Sequence, residues 1–263
     1  MHLLFMSITA AKKKTGVINT RKLMSKVREL NCQFEGEAHQ DSHEFLIWLL
    51  NNLNDTLAKR GKQRTWVAEL FEGKVTTQTR CVVCETITQR DEPFMDLSVD
   101  VTQNSSLVSC LKAFSSEETL NGSDKFFCDV CVSKQQALKS VLIKQLPKLL
   151  VCHLKRFKYS EELMRYQKLG YRVAFPSQLR LPNRTSECPD WVYDLFAVVI
   201  HVGQGIQYGH YVVVVKSHGH WIKFDDDLVD RVDERLIHSI FGSSQDTPQS
   251  PCGYLLFYRL IQT

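Results

Sequence analysis

Apolar residues recur at helical spacing in two early segments of the chain and at strand spacing through most of the remainder. Leu23, Met24, Val27 and Leu30 share one face of a helix over 21–30. Phe45, Leu46, Leu49, Leu50, Leu53 and Leu57 do the same over 41–59. Beyond residue 66 the apolar runs shorten and become β-branched and aromatic. They predict strands at 70–79, 95–101 and 138–146, then at 149–157, 193–202, 211–216, 221–224 and 254–258, with a short helix at 234–240. Residues 1–11 are apolar, but their lysines, Lys12 to Lys14, follow rather than precede them. The segment therefore predicts a buried helix end and not a secretory leader. Pro147, Pro176 and Pro182 mark loops. No repeat or low-complexity linker divides residues 1–263, so one continuous α+β unit is expected. It has three textures: helical over 1–66, strands with cysteine knuckles over 67–146, and β-rich over 147–263.

Composition narrows the class without choosing a function. Apolar residues make up 43% and charged residues 24% of the chain, as in ordinary globular proteins. No run approaches the roughly 18–20 apolar residues of a membrane span. A net charge of +4 with scattered basic residues gives no stripe for nucleic acid. Neither a membrane nor a nucleic acid is expected as a partner. Nine cysteines, an odd number, without an export signal predict reduced thiols and a cytoplasmic or nuclear setting.

Four of those cysteines stand in two pairs, Cys81-Val-Val-Cys84 and Cys128-Asp-Val-Cys131. Each pair can grip one metal through a tight knuckle, and two knuckles complete a tetrahedral shell of four thiolates. The spacing predicts one structural Zn²⁺ held by Cys81, Cys84, Cys128 and Cys131, stapling a thin extension. Four buried thiols, a redox pair or a nucleic-acid-binding zinc module are the competing readings.

Residues 209–227 read as a β-hairpin carrying an imidazole and a carboxylate. Val212 to Val215 form one strand, Ser217, His218 and Gly219 supply turn chemistry, and Trp221, Ile222 and Phe224 form the return strand. A three-residue turn at 217–219 sets position 210 opposite 226. A two-residue turn at 218–219 sets it opposite 227, with Asp225 as the diagonal neighbour on the same face. Either register places His210 beside an aspartate, the base half of a nucleophile–His–Asp triad. The five cysteines outside the knuckles, Cys32, Cys110, Cys152, Cys188 and Cys252, do not sit in a Gly/Asn-rich turn opening a helix, where a thiolate gains stabilisation.

Several segments then appear in a recognisable order. They are Gln40-Asp41-Ser42-His43-Glu44-Phe45, the paired knuckles, Leu146-Pro147, His153-Leu154-Lys155-Arg156-Phe157, Gly209-His210-Tyr211, Trp221 to Asp227, and Gly253 to Tyr258. Together they resemble the ubiquitin-specific protease family of cysteine deubiquitinases over nearly the whole chain. Trp66 to Gly73 and Tyr166 to Pro176 look most similar to the subgroup activated by WD-repeat proteins. The resemblance implies a papain-like cysteine protease hand, lacking its N-terminal part. Residues 1–66 would be a partial thumb, 67–146 zinc-bearing fingers and 147–263 the palm. It implies ubiquitin and ubiquitinated proteins as substrates, with a WD-repeat activator. It further implies His210 as general base, Asp225 as its orienting acid and Asp226 as a supporting polar group.

Asp41 and Glu44 match positions that meet the arginines of ubiquitin's C-terminal tail, and carboxylates three apart on a helix suit guanidinium forks. The same pair also reads as a capping box at the start of the helix. Tyr211 reads as a slot-lining residue or as core. The glycine-rich stretch 203–209 reads as a gate over a substrate tail or as a plain hairpin turn. His218 and His220 read as a polar turn, and Lys155, Arg156 and Lys158 as a solvated strand end. The family's Gly/Asn-rich cysteine box belongs ahead of Phe5 and is not matched here. The chain as given is therefore expected not to turn over. It is read either as a deubiquitinase whose nucleophile lies elsewhere or as a non-catalytic scaffold that binds ubiquitin or a WD-repeat partner.

Overall fold

The computed structural model describes residues 2–10, 18–36, 38–61, 64–162, 164–182, 184–186, 188–205, 208–245 and 247–261. Its centre is an eight-stranded sheet. In order across it run Leu228–Val232, His220–Asp225, Tyr208–Ser217, Val192–Gly205, Cys252–Ile261, Leu149–Lys155 and Leu97–Asp100, with Gln178–Arg180 paired to one end of Val192–Gly205. All these pairings are antiparallel except that of Leu97–Asp100 with Leu149–Lys155. Coverage of the two faces of each strand explains the sequence texture. The strand Leu149–Lys155, one place in from the Leu97–Asp100 edge, is covered on both faces, and its residues from Leu150 to Leu154 are all buried, so its apolar run is continuous. In Tyr208–Ser217, Val212 and Val214 are buried while Val213 and Val215 are only half-buried, which is the alternation of a strand covered mainly on one face.

A second sheet extends away from this core. It has four strands in the order Ile87–Phe94, Gly73–Cys81, Ala137–Gln145 and Glu118–Leu120. Little of it is buried, and most of Ile87–Phe94 faces solvent. The helices Arg21–Leu30 and Ser42–Ala58 form where the 3.6-residue spacing places them. Val27 and Leu50 alone are fully buried on them.

Several expectations are corrected. The strand expected at 70–79 begins only at Gly73, because Thr65 caps a short helix, Trp66–Phe71, by accepting from the amide of Ala68. A second capped helix, Leu107–Phe114, starts at Ser106 and buries Leu107, Cys110 and Leu111 within the strand-rich region. The N-terminal segment is helical over His2–Ala10 but not buried: Phe5, Met6 and Ile8 are about half exposed or more. Lys12 to Lys14 lie outside the described residues. Arg156, read as part of a solvated strand end, is fully buried. Its guanidinium donates to the carbonyls of Gly253, Leu169, Tyr171 and Phe241, so backbone oxygens take the place of water around the charge. Among the described residues no helix is long and apolar enough to cross a membrane.

Candidate active site and metal centre

The hairpin turn decides between the two registers left open by the sequence. Ser217 pairs with His220, so the turn holds only His218 and Gly219. Both have positive φ, at 50° and 80°, the type I′ geometry that matches strand twist and for which glycine is suited. The ladder continues to Val213 opposite Phe224. Asp225 is thereby left as the diagonal neighbour of His210, and the His210 Nε2 to Asp225 Oδ1 distance is 2.7 Å. With Nε2–H donating to the carboxylate, Nδ1 keeps its lone pair and faces away from the acid. Lys223 Nζ lies 2.8 Å from Asp225 Oδ2. Lys223 first, and then His210, hold the Asp225 carboxyl below the ordinary aspartate range. Asp226 has a left-handed φ of 52° in the tight turn after this strand. One of its carboxylate oxygens is within 4.8 Å of the ligand atoms of both His210 and Asp225.

Asp41 performs the capping role. Its Oδ1 accepts from the amides of His43 at 2.7 Å and Glu44 at 3.1 Å. The reciprocal half of the box is replaced: Glu44 Oε2 instead accepts from Gln33 Nε2 at 2.6 Å. Asp41 Oδ2 accepts from the Tyr254 hydroxyl at 2.6 Å. Tyr254 in turn packs against Tyr211, Phe157 and His153, and His201 against Tyr211 and Phe157. Tyr211 is thus part of an aromatic wall beside Asp41. Burial, reinforced by Asp41, pushes its phenol up to about 12. Gly203, Gly205 and Gly209 lie in the antiparallel pair Val192–Gly205 and Tyr208–Ser217, so this stretch is a hairpin end. Ile206 and Gln207 fall outside the described residues. At Gly209 a Cβ would collide with the His201 ring, so only glycine fits there. His218 and His220 belong to the polar turn, with His218 near Ser217 and His220 near Arg231.

The four knuckle cysteines converge. Their sulfurs all lie within 4.8 Å of one another, with Cys84 to Cys128 at 3.5 Å and Cys81 to Cys131 at 4.0 Å. Four sulfurs at the Zn–S distance of roughly 2.3 Å in a tetrahedron stand about 3.8 Å apart. The cluster therefore fits a zinc ion, and its thiols are free rather than paired as disulfides. Hydrogen bonding to Thr86 brings the Cys84 thiol down to about 6. Cys131 is pushed up to about 12 by its hydrogen bonds to the neighbouring thiols, Cys84 first, and by burial. One thiolate resists a second until a cation offsets both.

Sequence reasoning did not find a cluster at the junction of the helix Ser42–Ala58 with the large sheet. His43 and His153 stack at 3.7 Å and 16°. His43 Nε2 is 3.0 Å from Asp96 Oδ2, and Ser98 Oγ bridges Asp96 at 2.7 Å and His153 Nδ1 at 2.8 Å. Burial, helped by the neighbouring His43, lowers the His153 pKa to about 3. The in-plane lone pairs of two stacked rings run side by side, so they do not converge on one ion at about 2.0–2.1 Å. Both histidines lie within the family-like segments, but only the tertiary contact joins them. Lys168 and Tyr254 were missed for the same reason.

The nine cysteines occupy other places than the flank of His210. Among the described residues, the His/Cys/Asp/Glu group around His210 consists of Asp225 and Asp226. Cys110, Cys152, Cys188 and Cys252 are buried, and Cys32, itself exposed, opens the turn Cys32–Phe34.

Residues 1–258 match the family model described as ubiquitin carboxyl-terminal hydrolase. The chain is 46% identical to ubiquitin carboxyl-terminal hydrolase 4 of Arabidopsis thaliana, over 99% of this chain and 80% of that protein. It is 44% identical to ubiquitin carboxyl-terminal hydrolase 12 of Salmo salar, over 97% of this chain and 76% of that protein. Among solved structures, the SAGA Ubp8/Sgf11/Sus1/Sgf73 DUB module bound to ubiquitin aldehyde matches with a TM-score of 0.78 and 28% identity. That match covers 94% of this chain and 57% of the solved one. The same module with a cysteine-to-alanine variant of Ubp8, bound to monoubiquitin, matches with a TM-score of 0.78 at 29% identity, over 92% and 53%. The chain thus spans a little more than half the length of those solved chains, and its α+β arrangement is their papain-like fold.

Proposed function

The chain belongs to the ubiquitin carboxyl-terminal hydrolase family, and we propose that it is a ubiquitin-specific peptidase domain whose base serves a thiol other than its own nine cysteines. The reading is carried by one observation: His210 Nε2 lies 2.7 Å from Asp225 Oδ1, which turns Nδ1 to the other side of the ring. In this reading Nδ1 accepts the thiol proton, and the thiolate attacks the carbonyl carbon of ubiquitin's last glycine. The imidazolium then protonates the leaving lysine amine as the C–N bond breaks, and the base activates a water to hydrolyse the thioester. Asp225 holds the productive tautomer, Asp226 adds polar support, Asp41 and Glu44 receive arginines of the ubiquitin tail, and Tyr211 lines its slot. Residues 1–66, 67–146 and 147–263 act as partial thumb, fingers and palm. One structural Zn²⁺ staples the fingers through Cys81, Cys84, Cys128 and Cys131. Nine free thiols suit the cytoplasm or nucleus.

The test joins the 263 residues to an N-terminal segment bearing the family's cysteine box. Expected is hydrolysis of a ubiquitin–fluorophore amide. Asp225→Asn should lower kcat by about 10²–10⁴ and His210→Ala by at least as much. The 263 residues alone should bind ubiquitin and remain unlabelled by a ubiquitin C-terminal electrophile. An adduct on any of the nine thiols, or full turnover by Asp225→Asn, overturns the reading.

A second reading, a non-catalytic scaffold for a WD-repeat partner, is favoured by the knuckle tips. Val83, Val130 and Val132 are 66%, 64% and 75% exposed beside Phe127 at 52%, an apolar group of the kind that partners cover. Unaltered affinity of Val83→Asp for a purified WD-repeat propeller would remove that support.

A further inference from the structure

We propose that Lys168 is a positioning residue for His210, its ammonium fastening the backbone rung on which the base stands. The inference rests on the reading of His210 as the general base. Lys168 ends the strand Arg165–Lys168 and is only 2% exposed. Its Nζ donates to the carbonyls of Gly203 at 2.8 Å, Ser250 at 3.0 Å and His201 at 3.2 Å. These three acceptors use all three donors of an ammonium. No carboxylate among the described residues pairs with it.

Two of the acceptors flank the rung that matters. Val202 pairs with His210 and Gly203 with Gly209, and the register slips immediately afterwards, between Gly203 and Gly205. Gly203 has a φ of +115°. The ladder between these two strands therefore breaks register beside the base, and Lys168 supplies a restraint at that point. The third acceptor, Ser250, lies just ahead of the strand Cys252–Ile261, in which Cys252 pairs with His201. One cation thus ties the strand opposite His210 to two other segments.

Burying an ammonium without a counter-ion is costly, and burial lowers the Lys168 pKa. Apolar packing alone would be met more cheaply by methionine, so the donors are what the position requires. Arg156, the other buried cation, serves a different set of carbonyls and none on this rung. Lys168 also lines a cleft of about 1030 Å³ with Tyr159, Tyr166, Gln204 and Tyr208, which gives small solutes a route to its place.

The experiment compares Lys168→Ala with the unaltered chain by ¹⁵N-histidine spectroscopy and amide hydrogen exchange, both without ubiquitin. Expected are loss of the His210 Nε2–H signal of the Asp225 pair and about 100-fold faster exchange at Val202 and His210, as for the loss of one or two charge-assisted hydrogen bonds. Ethylammonium should restore both, and tetramethylammonium, which has no N–H, should not. Val67→Ala, fully buried in the helix Trp66–Phe71, should lower Tm without moving the His210 signals. Unchanged signals in Lys168→Ala, absence of amine rescue, or the same changes in Val67→Ala overturn the proposal. If Lys168→Ala does not fold, Lys168→Gln, which keeps a donor on a shorter stem, takes its place with the same readouts. Failure of the unaltered chain to bind ubiquitin would sink the functional reading instead, and the spectroscopic result would still decide the role of Lys168.

Discussion

The two larger sheets of this molecule are held together by different physics. In the large sheet, Leu150, Leu154, Tyr193, Leu195, Val198, Leu256 and Tyr258 are all completely buried. Each such side chain contributes roughly 1.5–3 kcal/mol through removal of apolar surface from water. The sheet built on Gly73–Cys81 and Ala137–Gln145 has far fewer such positions, and its knuckle valines face outward. Its far end is gathered instead by four sulfurs. A sheet with a thick core tolerates a missing contact, whereas a thin one depends on its staple.

The largest effect should come from removing that staple. Cys128→Ser, or chelation of the unaltered chain, should take the zinc-to-protein ratio from one to below about 0.2. Amide protection should then vanish along Gly73–Cys81 and Ala137–Gln145 and persist in Leu149–Lys155 and Cys252–Ile261. Structural zinc sites contribute on the order of 10 kcal/mol to the fold of the unit they hold. Equal loss of protection in both sheets would break the contrast. A ratio well below one in the untreated protein, with Cys81 still reduced, would reject the zinc assignment.

The same contrast governs what could be read from the sequence. Knuckle spacing and the hairpin are local, so the four cysteines Cys81, Cys84, Cys128 and Cys131, and His210 beside some aspartate, could be picked out before any fold was known, while the choice of Asp225 came only from the family resemblance. The hairpin arithmetic stopped at two registers, because Ser217, His218 and Gly219 permit either turn. Only the positive φ of His218 and Gly219 together selects the shorter one. Arg156 was misread because a cation at a strand end ordinarily meets water, and its four carbonyl partners lie 13 to 97 positions away along the chain. The stack of His43 on His153 spans 110 positions, a pairing that no periodicity reveals. Short capped helices such as Trp66–Phe71 and Leu107–Phe114 hide among strands because one or two turns give too few repeats of the 3.6-residue pattern.

A smaller effect separates the sheets by pH. His153 and His201 are buried in the large sheet, and burial lowers them to about 3 and about 4. An unfolded histidine titrates near about 6.5. Below that value the unfolded chain takes up protons that the folded chain refuses, so stability falls as pH falls. The loss approaches about 1.4 kcal/mol per pH unit for each histidine between its two pKa values. Urea midpoints measured from pH 7 to pH 5 should therefore drop steeply, and His201→Gln should flatten the slope by roughly half. An unchanged slope in that variant would show that the buried rings are not the source.

The smallest effect lies at the sheet edge, where the His210 and Asp225 side chains are 44% and 28% exposed. Solvent screens this pair, so its carboxylate is a local probe of the site and not a support of the fold. The folded Asp225 carboxyl lies below the aspartate range, with Lys223 the larger cause and His210 the second. A depressed acid keeps its stabilising charge above the unfolded pKa of about 3.9 and loses it only as pH falls through the lower folded value. The ¹³C carboxyl signal of Asp225 should accordingly titrate below the unfolded aspartate value. Lys223→Met should raise that midpoint more than His210→Gln does, while the urea midpoint at pH 7 stays within error. If His210→Gln gave the larger shift, the imidazole and not the ammonium would be the principal partner of the acid. If either substitution lowered the urea midpoint substantially, the edge would be part of the structural core and the division between the regions would have to be redrawn.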